Sequence, residues 1–190
     1  HEEIIVRTYP SSALRASKIA RDKGKELDGV HFIIGGESIT EAKKQEIELS
    51  GATVISCYAS MEAGVISYGC VNPNAPDDTH ILMDALAVVQ KRRQATAFGI
   101  EVESSLITTL MPSASKLLLN VEMGDTGIIE KRACGCGWEK IGFSQHLHSI
   151  RSFEKLTGEG MTILNTDFIR IVEEVLPKKF GGSLTDYQIM

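Results

Sequence analysis

The chain has 190 residues, 43% of them hydrophobic and 24% charged, with a formal net charge of −5 at pH 7. This length and composition allow a folded domain with a substantial core and exclude a disordered chain. Acidic and basic residues are interspersed, which argues against a nucleic-acid partner and against a polybasic membrane surface. The sequence offers neither a membrane-spanning run nor signal-peptide character at its start, so we expect a cytoplasmic protein.

The first third of the chain alternates between predicted strands and helices. The strands are predicted at three apolar runs: Ile4–Val6, Val30–Ile34 and Thr53–Ile55. One helix is predicted to be capped by Ser11 or Ser12 and to run to about Lys25, and a second to be capped by Thr40. Strand, helix and strand joined by short loops indicate a βαβ unit in a parallel sheet.

Two stretches follow the carboxyl ends of predicted strands, namely Gly35–Glu37 and Tyr58–Glu62. A right-handed crossover would bring them to the same edge of the sheet, where open α/β sheets bind ligands. The ring of Tyr58 offers a face for a planar base, and Glu62 offers a hard oxygen for Mg²⁺. The alternative interpretation is that Tyr58–Glu62 is an ordinary surface loop.

The middle of the chain favours an antiparallel β region. Strands are predicted at five runs: His80–Val89, Val102–Leu110, Lys116–Val121, Ile128–Arg132 and His146–Ile150. Gly124–Gly127 has the composition of a tight turn, and the glycines of Cys134–Gly137 allow a knuckle around two sulfur atoms.

A polar connector with two glycines follows, and then a strand at Met161–Leu164 and a helix that is capped by Asn165 or Thr166 and ends before Pro177. We therefore predict two parts, residues 1–153 as the core and residues 154–190 as a hinge and the beginning of a second domain. The predicted fold class is α/β, with a parallel βαβ part, an antiparallel β region and the start of a small C-terminal α+β domain. Strands without partners suggest edges that a second copy or the remainder of a longer protein would cover.

The four cysteines are not expected to form disulfides in a cytoplasmic protein, so they are buried apolar residues, reactive thiols or metal ligands. A candidate metal set of three cysteines and one histidine is present: Cys70, His80, Cys134 and Cys136. The alternative is that Cys70 is a buried apolar residue and His80 an ordinary strand residue. Cys57 is predicted to lie in the core.

Two further histidines, His146 and His148, alternate along one predicted strand and would share a face. Such a pair could hold a second metal. We instead predict that both are surface histidines or are satisfied by hydrogen bonds.

Four stretches occur in a characteristic order: Gly35-Gly36-Glu37, Tyr58-Ala-Ser-Met-Glu62, Gly124-Asp125, and Arg151 with Gly160 nine positions later. Together with a Cys-x-Cys-Gly between the third and fourth, they resemble the motifs of adenylate-forming enzymes of the phenylacetate–CoA ligase-like branch. The similarity extends from about Leu27 to Pro177.

The resemblance implies a ligase that activates a small carboxylic acid with ATP, forming acyl-AMP, and then transfers the acyl group to CoA or another acceptor. The residues that it assigns to ATP or AMP are Gly36, Glu37, Tyr58, Glu62, Asp125 and Arg151. Glu62 would help hold Mg²⁺, Asp125 would bind the ribose hydroxyls and Arg151 would contact the ribose or a phosphate. Glu62 and Arg151 are the expected catalytic residues.

The resemblance also implies a structural zinc ion, because similar proteins of this branch carry such an ion on a matching cysteine and histidine pattern. It assigns Cys70, His80, Cys134 and Cys136 as the ligands. Four protein ligands close the zinc coordination sphere, so this ion would stabilise the β region without activating water.

The sequence departs from the family at several positions. Met61 replaces the usual threonine or serine, and Glu154 replaces the hinge aspartate. The phosphate loop has no counterpart, and the chain stops before the late catalytic lysine. We therefore expect part of a longer adenylating protein that is inactive alone. The alternative is a zinc-stapled binding or scaffold module without catalysis.

Overall fold

The computed structural model describes residues 3–94, 101–152, 155–158, 161–164, 171–182 and 187. Within these ranges the strands are β1 Ile4–Thr8, β2 Val30–Ile34, β3 Thr53–Ser60, β4 Gly64–Gly69, β5 Thr79–Ile81, β6 Leu86–Gln94, β7 Glu101–Thr109, β8 Val121–Lys131, β9 Gln145–Ser152, β10 Lys155–Gly158 and β11 Met161–Leu164. The helices are α1 Pro10–Asp22, α2 Glu41–Glu48, α3 Gly137–Lys140 and α4 Leu176–Phe180, with a π-helical segment at Ile171–Val175.

Nine strands form one mixed sheet in the order β1-β2-β3-β4-β5-β9-β8-β7-β6. The pairs β1–β2 and β2–β3 are parallel, and the pairs from β3–β4 onward are antiparallel. The predicted α/β class, with a parallel part followed by an antiparallel region, is therefore confirmed. The C-terminal α+β domain is not confirmed, since its described residues form only a two-stranded sheet and short helical segments.

The parallel part has its own apolar core between the helices and the sheet. The side chains buried there are Ala13, Leu14, Phe32, Ile34, Ile39, Ile47 and Ala52. On α1 the buried positions recur at helical spacing, and the opposite face is exposed, so the helix covers the sheet with one stripe.

The antiparallel region has a second core, formed by Ile66, Ile81, Leu86, Val88, Ile107 and Leu147. Leu86 and Val88 alternate with outward-facing neighbours on β6, as expected for a strand with one covered face. The two cores belong to one continuous sheet, and the boundary between them lies near β3 and β4.

The predicted serine cap of α1 is wrong. The helix begins at Pro10, with Tyr9 at the cap position and no side-chain cap bond from that residue. Proline suits the first helical position because its fixed φ is helical and its missing N–H is not needed there. The carboxylate of Glu37 accepts hydrogen bonds from the Ser11 amide and hydroxyl, at 3.1 and 2.9 Å, in place of a cap. The helix ends at Asp22, earlier than predicted.

Two predicted strands have different bounds. The predicted strand His80–Val89 is divided into β5 and β6 by a turn in which the Ala85 amide donates to the Leu82 carbonyl at 3.0 Å. The predicted strand Lys116–Val121 is a loop almost to its end, because the Leu118 amide bonds the Thr109 side chain (3.0 Å) outside a regular ladder.

The predicted turn Gly124–Gly127 is also wrong, because this stretch lies inside the long strand β8. The pairing of β8 with β9 shifts register between Thr126 and Ile128. A Cβ atom on Gly127 would lie 2.8 Å from the Leu147 side chain. The glycine therefore permits close approach at a β-bulge and does not mark a chain reversal.

The C-terminal predictions are tested only in part. The boundary at residues 153–154 and the predicted helix start at residues 165–166 lie outside the described residues. Pro177 lies in the first turn of α4, so the prediction that the helix ends before it is wrong. Among the helices that the structure describes, none combines the length and the apolar character needed to cross a membrane.

Candidate functional site

Four donor residues converge where β4, β5, β8 and β9 lie side by side in the sheet. Cys70 directly follows β4, His80 lies on β5, Cys134 follows β8 and His146 lies on β9. One ligand atom from each of these residues lies within 4.8 Å of the corresponding atoms of the other three. Thiolate and imidazole are the ligands that zinc prefers, so this metal cluster could hold an ion such as Zn²⁺.

Cys136 lies against the same metal cluster. Its Sγ atom is 3.1 Å from His80 Nε2, and the Cys134 Sγ atom is 3.6 Å from that nitrogen. The four residues predicted from the sequence are thus gathered at one place, and His146 adds a further donor.

The prediction that His146 lies at the surface is wrong, and hydrogen bonds satisfy only one of its two ring nitrogens. The side chain is fully buried, and its Nε2 atom has no hydrogen-bond partner among the described residues. His146 faces His80 directly across the β5–β9 ladder. No signal in the sequence indicates this pairing, because it depends on the register of two strands far apart in the chain.

The second nitrogen of each histidine is held by an acceptor. His80 Nδ1 lies 2.6 Å from the Phe143 carbonyl, and His146 Nδ1 lies 2.8 Å from a carboxylate oxygen of Asp78. Because a carbonyl oxygen only accepts, His80 Nδ1 carries the proton and its Nε2 keeps a lone pair. His146 Nδ1 lies between the Asp78 carboxylate and the Arg132 guanidinium, whose Nη2 is 3.2 Å away. Burial lowers the pKa of His80 and so favours the neutral form that binds metal.

The thiols differ in their surroundings. Burial raises the pKa of the Cys70 thiol. Burial also opposes ionisation of Cys136, but hydrogen bonds from the Glu139 and Trp138 amides prevail and lower the pKa of that thiol. The Glu139 carboxylate in turn accepts from the Cys134 amide at 2.8 Å and holds the knuckle closed. A bound metal ion would favour the thiolate form at all these sulfurs.

The residues therefore fit a zinc ion. The donor set is rich in sulfur and imidazole, and the Nε2 atom of His146 is a buried polar atom that lacks a partner among the described residues. Asp78 is 1% exposed and is paired with both His146 and Arg132. Buried carboxylates of this kind commonly orient a histidine ligand from outside the coordination sphere.

A pocket of about 390 Å³ lies beside the metal cluster, at the carboxyl ends of β2 and β3. Its wall includes Gly35–Ile39, Ser56–Ala59, Asp77, Thr79, Asp125, Ile150 and Ser152. Gly36 and Tyr58 thus lie at the same edge of the parallel sheet, as predicted. Tyr58 itself lies within β3, which extends to Ser60, so its placement on a loop is wrong.

Tyr58 and Asp125 meet in this pocket although 67 residues separate them in the chain. The Tyr58 hydroxyl donates to a carboxylate oxygen of Asp125 at 2.7 Å. Burial, and then the negative charge of Asp125, raise the pKa of Tyr58. The pair therefore offers an aromatic face and a carboxylate side by side.

The remaining predicted residues lie at or beyond the pocket wall. Glu37 lines the pocket, but its carboxylate oxygens accept from the start of α1. Glu62 is exposed in the turn between β3 and β4 and does not line the pocket. Arg151 lies next to the pocket, with Nη1 3.4 Å from an Asp77 oxygen. Cys57, predicted to lie in the core, is half-buried and lines the pocket.

Asp77 is a charged residue of the pocket wall that was not among the predicted site residues. Its carboxylate accepts from the Ser149 and Ile150 amides of β9, at 3.0 and 2.7 Å. In the sequence, Asp77 follows a proline and precedes another aspartate, a composition that indicates only a turn.

No family model matches this sequence, and no curated protein matches it significantly. Function is therefore inferred from the chemistry of the metal cluster and the pocket.

Proposed function

We propose that this chain is the nucleotide-binding part of a ligase that activates a small carboxylic acid with ATP, forming acyl-AMP. CoA is the proposed acyl acceptor. The observation that supports this function is the pocket wall, which combines Gly36, Glu37, Tyr58 and Asp125 from three distant stretches of the chain. These stretches are the motifs that resemble adenylate-forming enzymes.

The chemistry of the pocket suits a nucleoside. The Tyr58 ring can pack against a planar base, and the Asp125 carboxylate can accept both hydrogen bonds of a ribose diol. The volume of about 390 Å³ falls within the usual range for small-ligand pockets. In this proposal Glu62 holds Mg²⁺ at the pocket entrance, and Arg151 reaches a ribose or phosphate oxygen.

We further propose that the ion of the metal cluster is a structural zinc. The cluster provides enough protein donors to fill four coordination positions. When bound, such an ion contributes folding free energy. The four free cysteines suit the reducing cytoplasm, where we propose that the ligase acts.

Residues 154–190 are proposed to begin a small α+β domain that turns about Glu154, the position matching the hinge. The described part of this segment contacts the core through Glu173, which pairs with Lys43 of α2. The remainder of such a domain, or a second copy of the chain, would complete its packing.

We propose that the isolated chain binds nucleotide but does not catalyse acyl-AMP formation. Acyl-AMP formation builds charge on the phosphates, and that charge needs preorganised amides and a cation. The sequence contains no match to the phosphate loop, and Met61 cannot supply the hydroxyl of the family motif.

A second candidate function is a zinc-stapled binding or scaffold module without catalysis. It is favoured by the polar groups of the pocket, many of which are already engaged within the protein. The Asp77 carboxylate accepts backbone amides, and the Glu37 carboxylate accepts from the start of α1.

Calorimetry with AMP tests the proposed function. The zinc-loaded chain should bind AMP, and Asp125→Asn should weaken binding about tenfold, or about 1.4 kcal/mol, because one ribose acceptor is lost. Asp84→Asn, which changes an exposed acid in the turn before β6, is the matched control and should leave the affinity unchanged. Absence of AMP binding would refute the nucleotide site and leave the scaffold module. ATP–pyrophosphate exchange by the purified chain would refute the proposed inactivity.

A further inference from the structure

The metal cluster and the pocket share one short segment, residues 77–80. Asp77 and Thr79 line the pocket, whereas Asp78 and His80 face the metal cluster. Asp77 ends a turn and β5 begins at Thr79, and the contacts of the four residues place alternate side chains on the two sites, so this segment separates the pocket from the metal cluster. Neither side can be displaced without moving the peptide units that carry the other.

Asp78 fixes the metal side of this segment. Its carboxylate is 1% exposed, lies 2.8 Å from His146 Nδ1 and pairs with Arg132. It also accepts from the Asn74 amide at 2.7 Å, and its own carbonyl accepts from the Cys70 amide at 3.0 Å. Asp78 is therefore connected to two candidate ligands, to His146 through its side chain and to Cys70 through its backbone.

Asp77 fixes the pocket side. Its two amide hydrogen bonds hold β9 where Ile150 and Ser152 line the pocket. Ser149, one of the donors, has a φ of 53° in the left-handed region, which costs free energy unless its surroundings hold it. Asp77 can supply that restraint only while the segment 77–80 is itself held in place.

Strand β9 contributes residues to both sites and so connects them directly. It carries His146 in the metal cluster and, four residues later, Ile150 in the pocket wall. Across the ladder from His146 is His80, and Thr79 donates to the Leu147 carbonyl at 2.8 Å. The two strands that hold the histidine donors, β5 and β9, therefore also contribute to the pocket wall.

We propose that metal binding and pocket occupation are coupled through Asp77 and Asp78, which act as positioning residues. A metal ion fixes His80 and His146, and through them the segment 77–80 and the Ser149–Ile150 backbone. By reciprocity, whatever stabilises the pocket wall must also strengthen metal binding. The part of this inference that concerns nucleotide rests on the proposed function, whereas the part that concerns the pocket wall does not.

The first test measures zinc affinity by competition with a chromophoric chelator, using the full chain. Asp77→Asn should weaken zinc binding about tenfold, although Asp77 is not a ligand, because it loosens β9. Asp78→Asn is the positive control, for which a 10- to 100-fold loss is expected for a partner of a histidine ligand. Asp84→Asn should change the affinity less than about twofold. Asp77→Asn with wild-type zinc affinity would overturn the coupling, and if this variant does not fold, Asp77→Glu is judged by the same criterion.

The second test uses the unaltered chain. Saturating AMP should tighten zinc binding at least about threefold in the same chelator competition, because the filled pocket holds β9. If calorimetry detects AMP binding but the zinc affinity is unchanged, the coupling is wrong. If AMP does not bind, the proposed nucleotide site fails, and the Asp77→Asn result alone decides whether the pocket wall and the metal cluster are coupled.

Discussion

At the scale of single residues, the chemistry of the molecule depends on how buried polar atoms are paired. His80 and His146 each direct one nitrogen to an acceptor, at 2.6 and 2.8 Å, and keep the other for a ligand. Cys57 has the same side chain as Cys134 but lies in the pocket wall beside Arg7, outside the metal cluster. The position of a cysteine in the fold therefore decides whether its thiol can bind the metal ion.

Replacing one cluster thiol should therefore abolish stoichiometric zinc. Cys134→Ser removes a thiolate that a hydroxyl cannot replace, and the purified protein should fall from about one equivalent of zinc to much less. Because zinc binding free energy is also folding free energy, on the order of 10 kcal/mol for small structural sites, the melting temperature should fall as well. Elemental analysis and thermal unfolding are the measurements.

Cys57→Ser is the matched control for that experiment and should retain full zinc. The prediction fails if Cys134→Ser still binds one equivalent of zinc with unchanged thermal stability, or if the wild-type protein, purified without added metal, contains none.

At the scale of elements, the C-terminal segment is attached to the core through α2. Glu173 of the π-helical segment lies 2.6 Å from Lys43 Nζ, and both side chains are almost buried, at 12% and 11% exposure. Glu173 also accepts from Thr40, the residue that caps α2. The segment beyond the predicted boundary at residue 153 therefore contacts its own chain at Glu173.

Lys43→Ala should release this attachment, since it leaves the Glu173 carboxylate buried without its cation. Breaking a buried pair by removing one partner typically costs about 3–5 kcal/mol, but here local detachment of residues 171–182 limits the loss. Hydrogen exchange in that segment should accelerate strongly. Lys44→Ala, one position along α2, should not change it, and equal exchange in the two variants would contradict the attachment.

At the scale of the whole molecule, one sheet joins two apolar cores, and the metal cluster lies in the antiparallel half. The first half of the loop 71–78, from Val71 to Asn74, is exposed. The loop is held by Asn72, which donates to the Cys134 carbonyl at 2.8 Å, and by Pro76, whose carbonyl accepts from Ser56 at 2.7 Å. Its order should therefore depend on the metal.

Limited proteolysis should report this dependence. With zinc bound, we expect the first cut between Arg151 and Gly160, where the sequence predicts a domain boundary. After chelation, a new cut should appear within residues 72–78, because the loop loses its anchor at Cys70 and the knuckle. Cleavage of this loop first in the zinc-loaded protein would refute the hinge assignment and the anchoring together.

The sequence alone determined the local structure and the chemical types at the sites. Apolar runs, together with the turn and cap residues that bound them, predicted β1, β2, the loop after β2 and the cap of α2. These predictions succeed because hydrophobic periodicity and capping are properties of neighbouring residues. Local reasoning failed at Gly127. The sequence around this residue is typical of a turn, whereas in the structure the glycine allows a β-bulge to pack against Leu147. Local reasoning also failed at Glu37, whose partner Ser11 lies 26 residues away.

Only the tertiary structure decided which residues meet. The cysteines and His80 could be grouped by type, but His146 joins them through the register of β5 and β9. Asp77 and Asp78 are adjacent in one polar stretch, yet Asp77 accepts from amides of β9 beside the pocket, whereas Asp78 pairs with His146 in the metal cluster. The register of a strand and the side to which each side chain points are set by the packing of distant strands. No window of neighbouring residues contains that information.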